Sequence, residues 1–100
     1  MSEWIEIDEA FLEYMHTDDY AEIYEVLVWE GCRGKGFGSK VMESFLMEMR
    51  KRNVKIVTLE VRVDNLIAIS LYEKFGFEQV SVRNGYYDGV DGLLMKLELK

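Results

Sequence analysis

Apolar and polar residues alternate along this 100-residue chain with two different periods, and the switches between them divide it into elements. Trp4 to Ile7 alternates apolar with acidic side chains and reads as a short strand, followed by an Asp8-Glu9 turn. Ala10 to Met15 reads as a second strand, His16-Thr17-Asp18-Asp19 as polar turn chemistry, and Tyr20 to Trp29 as the second arm of a hairpin. From about Gly36 to Arg52 the period becomes helical, with Val41, Met42, Phe45, Leu46 and Met49 on one face. Arg50-Lys51-Arg52 complements the negative end of that helix dipole, and Asn53 is placed to stop the helix. Lys55 to Val63 returns to period two, with Val57, Leu59, Val61 and Val63 on one face and Thr58, Glu60 and Arg62 on the other. Asp64 or Asn65 is placed to cap a second helix, whose stripe includes Ala68, Leu71, Tyr72 and Phe75 and which Gly76 ends. Phe77 to Val82 resumes strand character, Asn84-Gly85 or Asp88-Gly89 breaks it, and Leu93 to Leu99 alternates as a last strand. The order predicts an α/β (α+β) fold, a mixed and mostly antiparallel sheet with two helices. The strand between the helices is expected to be central and covered on both faces, with the helices on opposite sides.

Length and composition add one domain spanning residues 1–100, with the apolar and charged shares of a soluble globular protein. No apolar run approaches 18 residues and no basic segment precedes one, so neither a membrane span nor a signal peptide is expected. Cys32 is the only cysteine, which excludes an internal disulfide and suits a cytoplasmic location. His16 falls in a turn, where an exposed side chain is expected rather than a catalytic or metal role, and one His with one Cys makes no zinc site.

Charge changes the picture more. The net charge is −7, yet residues 1–32 hold ten acids and no Lys or Arg, and the remainder nets +3. That balance argues against nucleic acid as the main partner. It suits an anionic cofactor at one place and a cationic substrate at another, although an acidic surface that aids solubility accounts for the front half equally well.

The chemistry concentrates between the hairpin and the first helix. Arg33-Gly34-Lys35-Gly36-Phe37-Gly38-Ser39 joins alternating glycines, positive charge and a helix start, which together suit an anion. The phosphate loop GxxxxGK[ST] is absent, and the spacing is wrong for the dinucleotide pattern GxGxxG. A glycine-rich turn without a ligand fits as well on this segment alone.

Arg33-x-x-Gly36-x-Gly38 resembles the pyrophosphate loop of the GCN5-related N-acetyltransferases (GNAT). Three later blocks are similar to the branch of that family that acetylates ribosomal protein alanine N-termini. They are Leu59-Glu60-Val61-Arg62-x-x-Asn65, Ala68-Ile69-x-Leu71-Tyr72-Glu73-Lys74-Phe75-Gly76-Phe77, and Arg83-x-x-Tyr86-Tyr87. The resemblance runs from about Ile23 to Leu99, so residues 21–99 are expected to form an acetyl-CoA-binding core and residues 1–20 an atypical front segment. It implies that Leu27 and Val28 bond the acetyl and pantetheine groups, that Arg33, Gly34, Lys35, Gly36, Phe37, Gly38 and Ser39 hold the pyrophosphate, and that Asn65 contacts the pantetheine. Glu60 stands at the position of a general base, Tyr72 beside the thioester sulfur as general acid, and Tyr86 and Tyr87 on the acceptor side. The residues alone allow Glu60 a same-face pairing with Arg62, and allow Tyr72 a purely packing role. Cys32 as an acyl-carrying nucleophile lacks an evident base.

The family resemblance implies acetyl transfer from acetyl-CoA, without a metal, to a protein N-terminal α-amine. A small-molecule amine as acceptor, or a CoA-binding module without turnover, are the alternatives. Two departures bear on this. The turn after Tyr87 is shorter than in relatives, and the first strand and two helices that open the family's fold are absent. The uncovered front predicts a homodimer, or completion by another chain, through residues 1–25, with Trp4, Phe11, Tyr14 or Tyr24 exposed.

Overall fold

The computed structural model, which describes residues 2–29 and 36–99, is turned by short hairpins led by aspartate. Strands β1 (Glu3–Ile7), β2 (Ala10–Thr17) and β3 (Tyr20–Val28) form a meander. Asp8 and Asp18 open its two-residue loops at φ 54° and 48°, a region where Asp is tolerated because its short polar side chain bonds locally. Helix α1 (Phe37–Lys51) and strand β4 (Ile56–Arg62) follow, then helix α2 (Leu66–Lys74) and strands β5 (Glu78–Tyr87) and β6 (Val90–Glu98). The element order is the one predicted. Of the two candidate breaks near the end, Asp88-Gly89 makes the hairpin, with φ 46° and 90° as a type I′ turn requires. Gly85, at φ 65°, lies instead within β5 where its register shifts.

The six strands lie in the order β1-β2-β3-β4-β6-β5, and only β3 and β4 run parallel. The α1 stripe forms as its period dictates, with Val41, Met42, Phe45, Leu46 and Met49 all buried, and Asn53 ends the helix region at φ 61°. Inward positions of the sheet follow from the register: Leu12 and Tyr14, then Ala21 and Ile23, then Val57, Leu59 and Val61, then Leu93 and Met95. Opposed residues in a ladder share a face, so every buried strand side chain belongs to one face.

Both helices cover that same face, which corrects the expectation of helices on opposite sides and of a central strand covered twice. Phe45 of α1 meets Tyr14 edge-on at 5.0 Å between ring centres, and Lys74 of α2 donates to Ser39 of α1 at 3.1 Å. The cause is chirality. The crossovers β3-α1-β4 and β4-α2-β5 both advance toward the β5 edge, and right-handed crossovers advancing in one direction place their helices on one side. The other face, among the described residues, carries no helix. Trp4 and Tyr24, 61% and 52% exposed, lie there as expected of the front. Tyr14 does not: it is 1% exposed, packed on Phe45, with its hydroxyl donating to Glu3. Arg52 bridges Glu48 at 3.0 Å and Glu3 at 3.1 Å, so the front strand is tied to the end of α1.

Candidate functional site

The site begins with one extra residue. Glu13 opposes Glu25 but Tyr14 opposes Ile23, so Tyr24 is a bulge in β3. The parallel ladder to β4 ends at the same point, with Ile23 opposite Leu59. Beyond it β3 runs on to Val28 and β4 to Arg62 without pairing to each other. A cavity of about 590 Å³ occupies this wedge, within the range of small-molecule sites. Val26, Leu27 and Val28 form one wall, the start of α1 an end, and Asn65, Ile67, Ala68, Leu71 and Tyr72 the α2 side.

At the α1 end, Gly36 is the residue before the helix, at φ 82°, where a side chain would be strained. Among the described residues no side chain caps the helix, and its first turn, with the positive end of its dipole, lines the cavity. A Cβ on Gly38 would sit 3.4 Å from Leu71 and 3.7 Å from Val28, so this glycine lets the wedge walls approach. Phe37 and Ser39 complete the end, and Lys74 brings a positive charge to Ser39. Arg33, Gly34 and Lys35, expected on the pyrophosphate, lie outside the described residues, as does Cys32. Asn65 lines the cavity but also caps α2, accepting from the Ala68 N–H at 3.2 Å.

At the other end Tyr72 is only 7% exposed and edge-on to Phe77. Burial, and then the charge of Tyr87, pushes its hydroxyl up to about 12. The Tyr87 hydroxyl is raised in turn by burial and by Glu60. Glu60 does not pair with Arg62, whose guanidinium is taken by Asp64 at 2.9 Å. Its side chain is 16% exposed and approaches Nε of Arg83 at 3.3 Å. The approach is misaligned, and Glu60 Oε2 is buried with no hydrogen-bond partner among the described residues. Tyr86 and Tyr87 meet at right angles, 4.9 Å apart. A Cβ on Gly92 would lie 3.1 Å from Glu60 Oε2, 3.2 Å from the Tyr87 ring and 3.3 Å from Tyr86, so the three pack over a residue that has none.

Of the expected residues, Leu27, Val28, Gly36, Phe37, Gly38, Ser39, Asn65 and Tyr72 line the cavity, whereas Glu60, Tyr86 and Tyr87 form a separate cluster with Arg83 over Gly92. Sequence reasoning gave no role to Val26, Ile67, Lys74 or Gly92. Gly92 had a signal, since an isolated glycine in a strand pattern marks close approach. Lys74 had none, because only the tertiary fold brings it to Ser39. Among the described residues no helix is long and apolar enough to cross a membrane, and no group of three acidic, His or Cys side chains could hold a metal.

The sequence profile of the acetyltransferase (GNAT) family matches residues 6–77. The [ribosomal protein bS18]-alanine N-acetyltransferase of Escherichia coli K12 is 36% identical over 74 residues, 74% of this chain and 50% of that protein. An N-alpha-acetyltransferase of Saccharolobus solfataricus is 41% identical over 75 residues, 73% of this chain and 45% of its own length. The crystal structure of the Escherichia coli ribosomal-protein-S18-alanine N-acetyltransferase superposes with a TM-score of 0.87 at 33% identity, covering 92% of this chain and 62% of that one. The chain spans about half the length of the curated relatives it matches.

Proposed function

The chain belongs to the acetyltransferase (GNAT) family, and from that premise we propose that it transfers the acetyl group of acetyl-CoA to a protein N-terminal α-amine. The observation that carries this reading is the wedge opened at the Tyr24 bulge. It offers an unpaired strand edge at Val26–Val28, a helix N-terminus at one end and Tyr72 at the other. A long thin ligand with an anionic end and a thioester end has complementary chemistry at both.

Attack on a thioester needs a neutral amine. A protein α-amine has a pKa of roughly 7.7–8.0 against roughly 10.4 for lysine, so freeing lysine costs about 3.5 kcal/mol more at neutral pH. Glu60, a single carboxylate, suffices for the α-amine as general base. It takes one proton from the ammonium, the nitrogen lone pair bonds to the acetyl carbon, the carbon–sulfur bond breaks to leave a thiolate, and the second proton shed by the nitrogen passes to that sulfur, giving amide and thiol. The backbone N–H of Val28 would hold the oxyanion. Tyr72 stays protonated at neutral pH and donates to the sulfur. With its pKa at about 12 and a thiol near 8.5, full proton transfer is uphill by roughly 5 kcal/mol, so the hydrogen bond is its main contribution.

Calorimetry with acetyl-CoA, then turnover on a panel of N-terminal peptides and polyamines, tests this. Expected are acetyl-CoA binding that Gly38→Val abolishes, and acetylation of peptides at the α-amine. Turnover on polyamines alone would move the acceptor to small amines. Binding without turnover on either would leave a CoA-binding module, a reading favoured by the helix-free face of the sheet.

A further inference from the structure

We propose that Arg83 is a displaceable counter-ion, holding in the free protein the cation position on Glu60 that the acceptor's ammonium takes over, and so sets acceptor affinity. The inference rests on the reading of Glu60 as the base that meets the amine. Four observations carry it. Arg83 reaches Glu60 Oε2 at 3.3 Å, yet no N–H is aligned with that oxygen, which stays buried without a hydrogen bond among the described residues. The two side chains differ sharply in exposure, 59% for Arg83 and 16% for Glu60, so the cation can leave and the carboxylate cannot. The guanidinium lies 4.7 Å from the Tyr86 ring centre, and Tyr87 closes the corner at right angles. Gly92, having no Cβ, lets Glu60 Oε2 and the two tyrosines close up together, so that Arg83 is the exposed group beside that oxygen.

A carboxylate beside aromatic faces is a site for a cation. An ion pair with one partner so exposed is weak, whereas a buried carboxylate oxygen without a donor is costly. A ligand able to aim an N–H at Oε2 therefore displaces the misaligned guanidinium. An ammonium does this readily, because its three donors rotate about a single bond rather than lying in a fixed plane. Other charged groups nearby do not compete: Arg62 is held by Asp64, and Asp91 accepts from the Gly85 N–H.

Arg83→Met keeps the apolar stem and removes the charge, and Arg83→Lys restores one. Expected for Arg83→Met is an acceptor KM lower by roughly two- to fivefold, the scale of an exposed ion pair, with the acetyl-CoA KM moving less. Arg83→Lys should return toward the original value. Methylguanidinium, added as a free cation, should compete with the acceptor and not with acetyl-CoA. It should also shift the Tyr86 and Tyr87 ring resonances of Arg83→Met at lower concentration than those of the unaltered protein. A raised or unchanged acceptor KM in folded Arg83→Met would overturn the proposal, as would equal methylguanidinium titrations of the two proteins. The resonance titration needs no turnover, so it judges the cation position even if acetyl transfer itself is not found.

Discussion

Glu60 keeps a carboxylate oxygen buried without a donor among the described residues, a state that costs about 1–3 kcal/mol in an ordinary core. Glu60→Gln keeps the shape and removes the charge. Steady-state kinetics should show turnover lower by about 10²–10⁴ with acetyl-CoA affinity little changed, and thermal melting should show no loss of stability. Tyr72 makes a prediction at the other end of the pH scale. Its hydroxyl is raised from 10.0 to about 12, so the fold favours the neutral form. The stability this contributes is complete below pH 10 and is lost as pH rises through 12. At about 1.36 kcal/mol per unit, the loss reached by pH 12 is about 2 kcal/mol. Denaturant titrations at pH 9 and pH 12 should show a smaller alkaline loss in Tyr72→Phe, by about that amount, and equal losses would remove the burial argument.

Among the elements, α1 and the hairpins were legible because their signals are local. The α1 stripe, the stop at Asn53 and the aspartate-led turns depend on residues within one or two turns of chain. Replacing Phe45, fully buried beneath Tyr14, by alanine should cost about 3–5 kcal/mol in denaturant titration, while Gly38→Val should fold and fail to bind acetyl-CoA. The bulge was harder to see. Inward positions in β3 pass from odd numbers, 21 and 23, to even ones, 26 and 28, but a run of apolar residues hides the slip. The side on which the helices lie is not written in any segment. It follows from the handedness of two crossovers, and so did not come from period or capping. Likewise Glu60 could be placed on a strand face, whereas its partner Arg83 rather than Arg62 is set by the register of β5 against β6.

For the whole molecule, the consequence of one-sided helices is a sheet whose second face carries Trp4 and Tyr24 and sets Glu13 directly opposite Glu25. Like charges facing each other across a ladder are destabilising, and exposed aromatics beside them are features of surfaces that meet a partner. Sedimentation at micromolar concentration is expected to show self-association through residues 1–25, or binding of another chain there. A stable monodisperse monomer without a partner would show that the front strands need no further cover.

The bulge also has a mechanical meaning. The sheet consists of two half-sheets, β1-β2-β3 and β4-β6-β5, whose strands are laced together by only four residue pairs, Tyr20–Ile23 against Ile56–Leu59. Such a seam is short, and a ligand lying in the wedge would act as a strut across it. At a hundredfold excess over its Kd a ligand adds about 2.7 kcal/mol of stability. Amide exchange on acetyl-CoA addition should therefore slow first along Tyr24–Val28 and Glu60–Arg62, the two lips that do not pair with each other.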